Sequence, residues 1–352
     1  GAVKEALKHP RKIDLDMVDA QQTRRIIDRI VGYQLSPLLW RKIRKGLSAG
    51  RVQTVAVKII CDREKEIANF VPQEYWTITA RLRENDKAPV FDADVIKFNG
   101  KKLEINNAEE AAKTEAALKE AAYVVEKADK KERKRNPLPP YTTSSLQQDA
   151  VKKLNFSTKK TMLLAQQLYE GVNVGKGGAV GLITYMRTDS VRLSDVATAE
   201  LRSFIGSTYG AEYVPAGVNV YSSKKNAQDA HEAIRPTSVE RTPEAVAQYL
   251  TKDQLKLYTL IWKRTVACQM KAAVYDVTTL LIGAAGYQLR AGGAVLKFDG
   301  FLKLSDKKEL AGEKEKEVPY LPEQTPLKLH KLMPAEQHFT EPPPHFTEAT
   351  LV

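Results

Sequence analysis

Residues 181–190, GLITYMRTDS, put a tyrosine at the end of an apolar run and an arginine two places on. In extended chain, residues two apart point to the same side, so Tyr185 and Arg187 are expected to share a face. A free phenol ionises near pH ~10 and is a poor nucleophile while it keeps its proton. A neighbouring guanidinium favours the phenolate and grips a phosphate oxygen in a two-pronged fork. The pair has the makings of a tyrosine nucleophile aimed at a phosphate. The plainer reading is a packing tyrosine where a buried strand stops, with Thr188, Asp189 and Ser190 turning the chain and capping the next helix.

Two other stretches carry chemistry of a matching kind. In HEAIRPT, 231–237, His231 brings an imidazole that titrates near neutrality and can polarise or protonate a phosphate. Arg235 stands four residues on, which on a helical turn is the same side; Glu232 reads as a helix-start residue and Pro236 as a stop. In LSAGRVQ, 47–53, small residues let backbone approach a ligand, and Ser48, Arg51 and Gln53 surround the start of the next helix. Such a terminus offers unpaired N–H groups and a positive dipole end to a phosphate. Arg25, Arg29 and Tyr33 fall at i, i+4 and i+8, two cations and a ring on one helix face. Rings beside cations are the arrangement that holds single strands; a solvated basic face is the plainer alternative.

The composition agrees with an anionic partner. The chain has 352 residues, 55 Lys+Arg against 43 Asp+Glu, and a net charge of +12. That surplus points first to nucleic acid and second to an anionic membrane surface. Residues 1–65 carry +8 and residues 145–271 a further +6, so the remainder is slightly negative. Two separated basic regions read as one anion gripped from two sides. Cys61 and Cys268 sit in helix-like apolar stretches and read as two buried thiols in a reducing compartment. No Cys/His cluster has zinc spacing. No stretch reaches the ~18 apolar residues of a membrane span, and no signal peptide opens the sequence. A soluble, intracellular protein is expected.

The secondary structure around these residues is read from periodicity. Residues 16–34 read as a helix that Gly32 and Pro37 end, and a second helix runs from Val52 towards Pro72. Residues 75–83 and 89–98 alternate as strands, 107–122 are an amphipathic helix, and Tyr123–Glu126 is a short strand. The charge run 126–135 reads as solvated surface, and Asn136–Pro140 as a boundary. Two helices lie between Thr143 and Gly171, separated at Asn155–Ser157. Residues 194–206 and 243–272 are helical, and 274–305 and 318–333 return to short strands with glycine turns. The fold class is therefore multidomain α+β, with a helical domain inserted into a β-rich one. The expected division is 1–74 continued by 342–352, 75–142, 143–272, and 273–341.

GLITYMRTDS, HEAIRPT and LSAGRVQT, together with HPRKIDLDMVDAQQTRRIIDRIVGY, PPYTTSSLQQDA and EPPPHFTEATLV, resemble the type IA DNA topoisomerases, and bacterial DNA topoisomerase I most closely in wording. The order matches too, over essentially the whole length. The resemblance implies a torus in which a helical domain carrying the tyrosine swings on a β-rich hinge domain. It implies that Tyr185 forms a transient 5′-phosphotyrosine link in single-stranded DNA, without ATP, so that another strand passes and negative supercoils relax. Arg187 and His231 match the motif residues beside the scissile phosphate; Arg25, Arg29, Tyr33, Ser48, Arg51, Gln53 and Arg235 match the single-strand grip. The family's metal-binding Toprim domain, with its DxDxE cluster for Mg²⁺, is not visible here, nor are zinc-ribbon cysteines. Asp14 and Asp16 offer only a superficial DxD and read as capping and first-turn residues. The resemblance thus implies a torus part without its metal domain: no metal or cofactor of its own, Mg²⁺ in the whole enzyme, no relaxation alone, DNA as partner, no membrane, a monomer, and a bacterial cytoplasmic setting. A tyrosine recombinase would need an Arg–His–x–x–Arg arrangement ahead of a late tyrosine; here Tyr185 precedes His231. A non-enzymatic DNA-binding scaffold with a structural tyrosine is the other rival.

Overall fold

A computed structural model describes residues 5, 7–10, 12–175, 178–222, 231–306 and 317–352, and the chain falls into two units. The first comprises residues 1–71 with 342–346 and 351. Its long helix α1 (Leu15–Lys42) is capped by Asp14, whose carboxylate accepts from Met17 N at 3.1 Å, with Asp16 in the first turn. The two aspartates do what acidic residues do at a helix start. The helix does not end at Gly32 or Pro37 but runs through both. Bonds on either side of the proline hold the extension in place: Ser36 Oγ accepts from Ala49 N at 3.2 Å, and Trp40 Nε1 donates to Leu47 O at 2.5 Å. Arg41 and Lys42 then sit at the negative end of the dipole.

A loop containing Gly46, at φ +87°, leads to α2 (Gln53–Ala68). The tail is bound to α2 by Arg63, which donates to Pro344 O at 2.9 Å and lies 4.3 Å over the Phe346 ring, and by a 2.7 Å contact between His345 Nδ1 and Glu64. No residue of α2 is buried. Cys61 is consequently exposed, contrary to the expectation of two buried thiols; only Cys268 is buried, and burial pushes its thiol up to about 12.

The second unit comprises residues 72–341 with 347–350 and 352. Its strands are β1 (Glu74–Thr77), β2 (Thr79–Arg83), β3 (Phe91–Phe98), β4 (Lys101–Lys102), β5 (Tyr123–Arg135), β6 (Val172–Asn173), β7 (Ala179–Val180), β8 (Ala273–Ala284), β9 (Tyr287–Phe298), β10 (Pro326–Leu332) and β11 (Glu336–Phe339). Seven form one sheet in the order β2-β10-β5-β8-β9-β3-β4, and β2 also pairs with β3, so the sheet closes on itself. All its pairings are antiparallel. Inward residues Leu82, Ala93, Val125, Ile282 and Leu289 make the core, joined by Ala111 and Leu118 of α3 (Ala108–Lys119).

The charge run is more than solvated surface. Tyr123–Arg135 is one strand of 13 residues, paired with β8 as far as Arg135↔Ala273. The β8 backbone supplies the hydrogen bonds while the charged side chains stay in water. β8 and β9 are likewise long, 12 residues each, joined through Ala285 and Gly286, both at positive φ as a tight hairpin requires.

Between β5 and β8 lies the helical material: α4 (Thr143–Leu154), α5 (Thr158–Glu170), α6 (Asp195–Tyr209), α7 (Pro243–Val246) and α8 (Lys252–Cys268). The expected helix over 243–272 is broken at Thr251, which forms a reciprocal capping box with Gln254. The helices enclose a second core around Leu146, Leu168, Leu182, Ile205 and Ile261. A short α9 (Glu348–Leu351) closes the described chain. Among the described residues no helix is long and apolar enough to cross a membrane.

Candidate active site

Residues 181–190 form a buried strap held from three sides rather than the end of a sheet strand. From α5, Leu168 O accepts from Leu182 N at 2.7 Å. Gly181 is needed at that point: a Cβ there would stand 2.7 Å from Tyr169 O. From the segment 233–237, Thr184 N donates to Arg235 O (2.9 Å), Thr184 Oγ1 donates to Ala233 O (2.7 Å), and Thr237 N donates to Leu182 O (3.0 Å). From the start of α4, Thr143 N donates to Thr188 O (2.9 Å), while Thr143 Oγ1 donates to Met186 O and accepts from Thr188 N, both at 2.8 Å.

The strap alternates. Met186, Thr188 and Ser190 are buried; Tyr185, Arg187 and Asp189 are exposed. Tyr185 and Arg187 therefore share an outward face, as extended chain requires. Tyr185 is 46% exposed, and its ring meets that of Tyr169 edge-on at 5.3 Å. Arg187 makes no ion pair among the described residues. Thr188 and Ser190 do not cap the next helix. They bond their own backbone, Ser190 N to Thr188 Oγ1 and Arg192 N to Ser190 Oγ, both at 3.1 Å, and the cap of α6 is Ser194.

The segment carrying His231 is extended, not helical, so the i+4 argument that put His231 and Arg235 on one side does not hold. The residue before a proline is pushed out of the α region, and here Ile234 bridges to Tyr141 and Pro236 to Ile183. His231 is half-buried at the head of this segment. Glu232 is no helix-start residue: its carboxylate accepts from Ser194 N at 2.6 Å and from Arg235 Nη2 at 3.0 Å. Burial raises the Glu232 carboxyl, but the Arg235 guanidinium and the Ser194 bonds outweigh it and hold the group below its ordinary value. Arg235 turns inward, its Nη1 donating to Pro236 O at 3.0 Å and its Nε buried without a partner. Behind Tyr141, Asp149 accepts from Tyr141 Oη (2.6 Å) and Arg264 Nη2 (3.1 Å), and the Arg264 guanidinium lies 4.5 Å over the Tyr141 ring. PPYTTSSLQQDA brought in Thr143 and Asp149 only as part of the family resemblance, with no role attached, and nothing singled out Tyr169. They lie 16 or more residues from Tyr185, and no periodicity joins them to it.

In the first unit Arg25, Arg29, Tyr33 and Ser48 line one cavity of about 640 Å³. Tyr33 is 76% exposed, and Arg25 and Arg29 carry no ion pair among the described residues. Arg51 Nε donates to Asp28 at 2.7 Å, and Gln53 Nε2 donates to Ser48 Oγ at 3.1 Å. Exposed cations and an open ring around a groove are what an unstacked nucleic-acid strand requires. Among the described residues no group of three His, Cys, Asp or Glu side chains is placed to hold a metal ion.

A tyrosine and an arginine on one outward face, a basic groove, and a closed sheet interrupted by helices define a recognisable class. The sequence profile of the DNA topoisomerase family matches residues 12–352, and the chain belongs to that family, in its type IA branch. It is similar to a solved structure of full-length topoisomerase I from Thermotoga maritima, with 40% identity and a TM-score of 0.79 over 99% of this chain and 55% of that one. The chain thus spans about half the length of that relative.

Proposed function

We propose that this chain is the nucleophile-bearing part of a type IA topoisomerase that opens and reseals one DNA strand to relax negative supercoils. The observation that carries the reading is the outward face shared by Tyr185 and Arg187 on a strap clamped by Thr143, Thr184 and Leu168. Tyr185 Oη attacks the phosphorus of a single-stranded segment. The P–O3′ bond breaks, the 3′ oxygen takes up a proton, and the 5′ phosphate stays on the tyrosine. The reverse attack by the 3′ hydroxyl restores both the DNA and the phenol, so no nucleotide is consumed.

Arg187 holds a non-bridging oxygen and favours the phenolate. His231 serves the same phosphate with a proton or a hydrogen bond. Arg235, held by Glu232, fixes the backbone against which the strap lies and adds to the positive field. Arg25, Arg29, Tyr33, Ser48, Arg51 and Gln53 grip single-stranded DNA, the first four from the wall of one cavity. On this reading 1–74 with 342–352 is the gripping domain, 143–272 carries the tyrosine, and 75–142 with 273–341 form the β-rich domain. The Mg²⁺ of the complete enzyme is held outside these residues, by a Toprim domain. The protein acts as a monomer in the bacterial cytoplasm, and this chain alone binds single strands without relaxing plasmids.

The test uses a 3′-labelled single-stranded oligonucleotide, Mg²⁺, and this chain with or without a separately expressed Toprim domain. A denaturant-stable adduct that needs the added domain and disappears in Tyr185→Phe is expected. An adduct without that domain would overturn the division of labour. Tight binding with no adduct in either case would favour the scaffold reading.

A further inference from the structure

The closed sheet carries a basic surface that the charge count conceals. Residues outside 1–65 and 145–271 are slightly negative in sum, yet one row of exposed cations is gathered on the outward side of three strands. In an antiparallel ladder, residues directly opposite one another point to the same face. Lys127 stands opposite Leu281, which stands opposite Arg290; Asp129 faces Thr279 and Gly292; Lys131 faces Val277 and Ala294; Arg133 faces Tyr275. The core residues Val125, Ile282 and Leu289 fall on the alternate positions, so this set points away from the core. Lys127, Lys131, Arg133 and Arg290 are all exposed. Against the four cations stand three carboxylates: Asp129, paired with Lys131 at 3.1 Å; Glu126, which accepts from Gln288 Nε2 at 2.8 Å; and Asp94, opposite Arg290 at the edge. Between the cations lie the uncharged residues Leu281, Thr279, Val277, Gly292 and Ala294, none of them an aromatic ring.

From Lys127 to Arg133 the patch runs about 20 Å, and three strands make it about 10 Å wide. Among the described residues no exposed aromatic ring lies on this face; Tyr275, 5.8 Å under Arg133, is buried with Leu302 and packs against Phe301. That absence chooses the ligand. Single strands are held by rings on which unpaired bases stack, and the Tyr33 groove and the Tyr185–Tyr169 face have them. A long, ring-free row of cations between uncharged residues fits the phosphates of a base-paired duplex, whose bases are already stacked.

We propose that the outward face of β5, β8 and β9 is a second DNA site, taking duplex DNA by its backbone without reading sequence. The proposal rests on the DNA reading above for the identity of the polyanion and adds a site distinct from the strap and the helix groove. A base-paired region beside the single-stranded segment, or another duplex segment, is then held by the same molecule.

The test measures affinity for a 30-base-pair duplex and for a single-stranded oligonucleotide by fluorescence anisotropy over a range of salt concentrations. The variants are Lys131→Gln/Arg133→Gln/Arg290→Gln and, for an equal charge change on other exposed positions, Lys101→Gln/Lys102→Gln/Lys113→Gln. The patch variant should lose about tenfold or more in duplex affinity, and its slope of log affinity against log salt should flatten by about 2.7, three lost contacts at 0.9 each. Its single-strand affinity should stay within about twofold, and the control variant should keep both. Equal loss of duplex affinity in the two variants would mean only long-range charge, and would overturn the site. Unchanged duplex affinity in the patch variant would overturn it too. If the unsubstituted chain binds neither probe, the DNA reading itself fails, a result distinct from failure of the patch alone.

Discussion

Replacing Glu232 with alanine removes the acceptor of two charge-assisted bonds, from Ser194 N and Arg235 Nη2. The side chains of Glu232 and Arg235 are only 24% and 16% exposed, so water replaces the lost partner poorly. Bonds to charged groups contribute about 1.5–3 kcal/mol each, and breaking a buried pair from one side costs about 3–5 kcal/mol. With partial exposure, Glu232→Ala should cost about 3 kcal/mol. Arg235→Ala should cost less, about 2 kcal/mol, because Glu232 keeps its Ser194 bond. The double variant should fall short of the sum by a coupling of about 1.5 kcal/mol. The probe is Trp262, buried in the helical core, in a background where Trp40 and Trp76 are phenylalanine. Urea titrations of the four proteins give the cycle. The pH dependence follows from the depressed Glu232 carboxyl. Because the folded value lies below the unfolded one, the contribution is complete above the ordinary carboxylate range. It is lost as pH falls through the folded value. The gap between parent and Glu232→Ala should therefore be constant at neutral pH and shrink in acid. A single-variant cost under ~1 kcal/mol, or no coupling, would refute the claim that this pair clamps the segment against the strap.

Three further outcomes are expected. Gly181→Ala puts a methyl 2.7 Å from Tyr169 O and should lower stability by about 1–3 kcal/mol, read in the same urea titration. Asp149→Ala strands Arg264, whose side chain is 15% exposed, beside Tyr141, and should cost about 3–5 kcal/mol; a smaller cost in the Asp149→Ala/Arg264→Met double variant would show that the stranded charge is the cause. Arg25→Ala/Arg29→Ala should flatten the salt slope of single-strand binding by about 1.4, two contacts at 0.7 each, measured by anisotropy, with melting temperature unchanged.

Local signals in the sequence carried much of the architecture and little of the site's assembly. The cap at Ser157 is short-range chemistry, and α5 begins where that residue stands; the caps Thr142 and Ser194 were not read, the second because Thr188–Ser190 were expected to take its place. The α+β class and the helical run between strand-rich stretches were legible from a change of period. The length of α1 was not, because hydrogen bonds from Ala49 and Trp40 outweigh the usual stop signals of Gly32 and Pro37. The full β5 was not either: Lys130 to Arg135 read as solvated until a partner strand supplies their backbone bonds. At the site, the alternation that turns Tyr185 and Arg187 outward was legible, since it needs only extended chain. The extended form of 231–237 could have been taken from Pro236, but the i+4 spacing of His231 and Arg235 drew the reading to a helix. Thr143 and Glu232 act over 38 to 45 residues, and no spacing rule reaches that far.

The pair Arg135↔Ala273 closes the β5–β8 ladder where the helical material leaves and rejoins the sheet. The two ends of that 137-residue excursion, 136 to 272, therefore lie about one strand spacing apart, ~5 Å. Its apolar core is almost wholly its own. Such a piece has the form of a guest in a host: to the ladder, it is a long hairpin loop. Domains with adjoining ends are those that evolution and engineering insert, exchange or excise while the host stays closed. A short turn joining residue 135 to residue 273 would leave every pairing of the sheet available, and the piece 136–272 could be joined end to end into a circle.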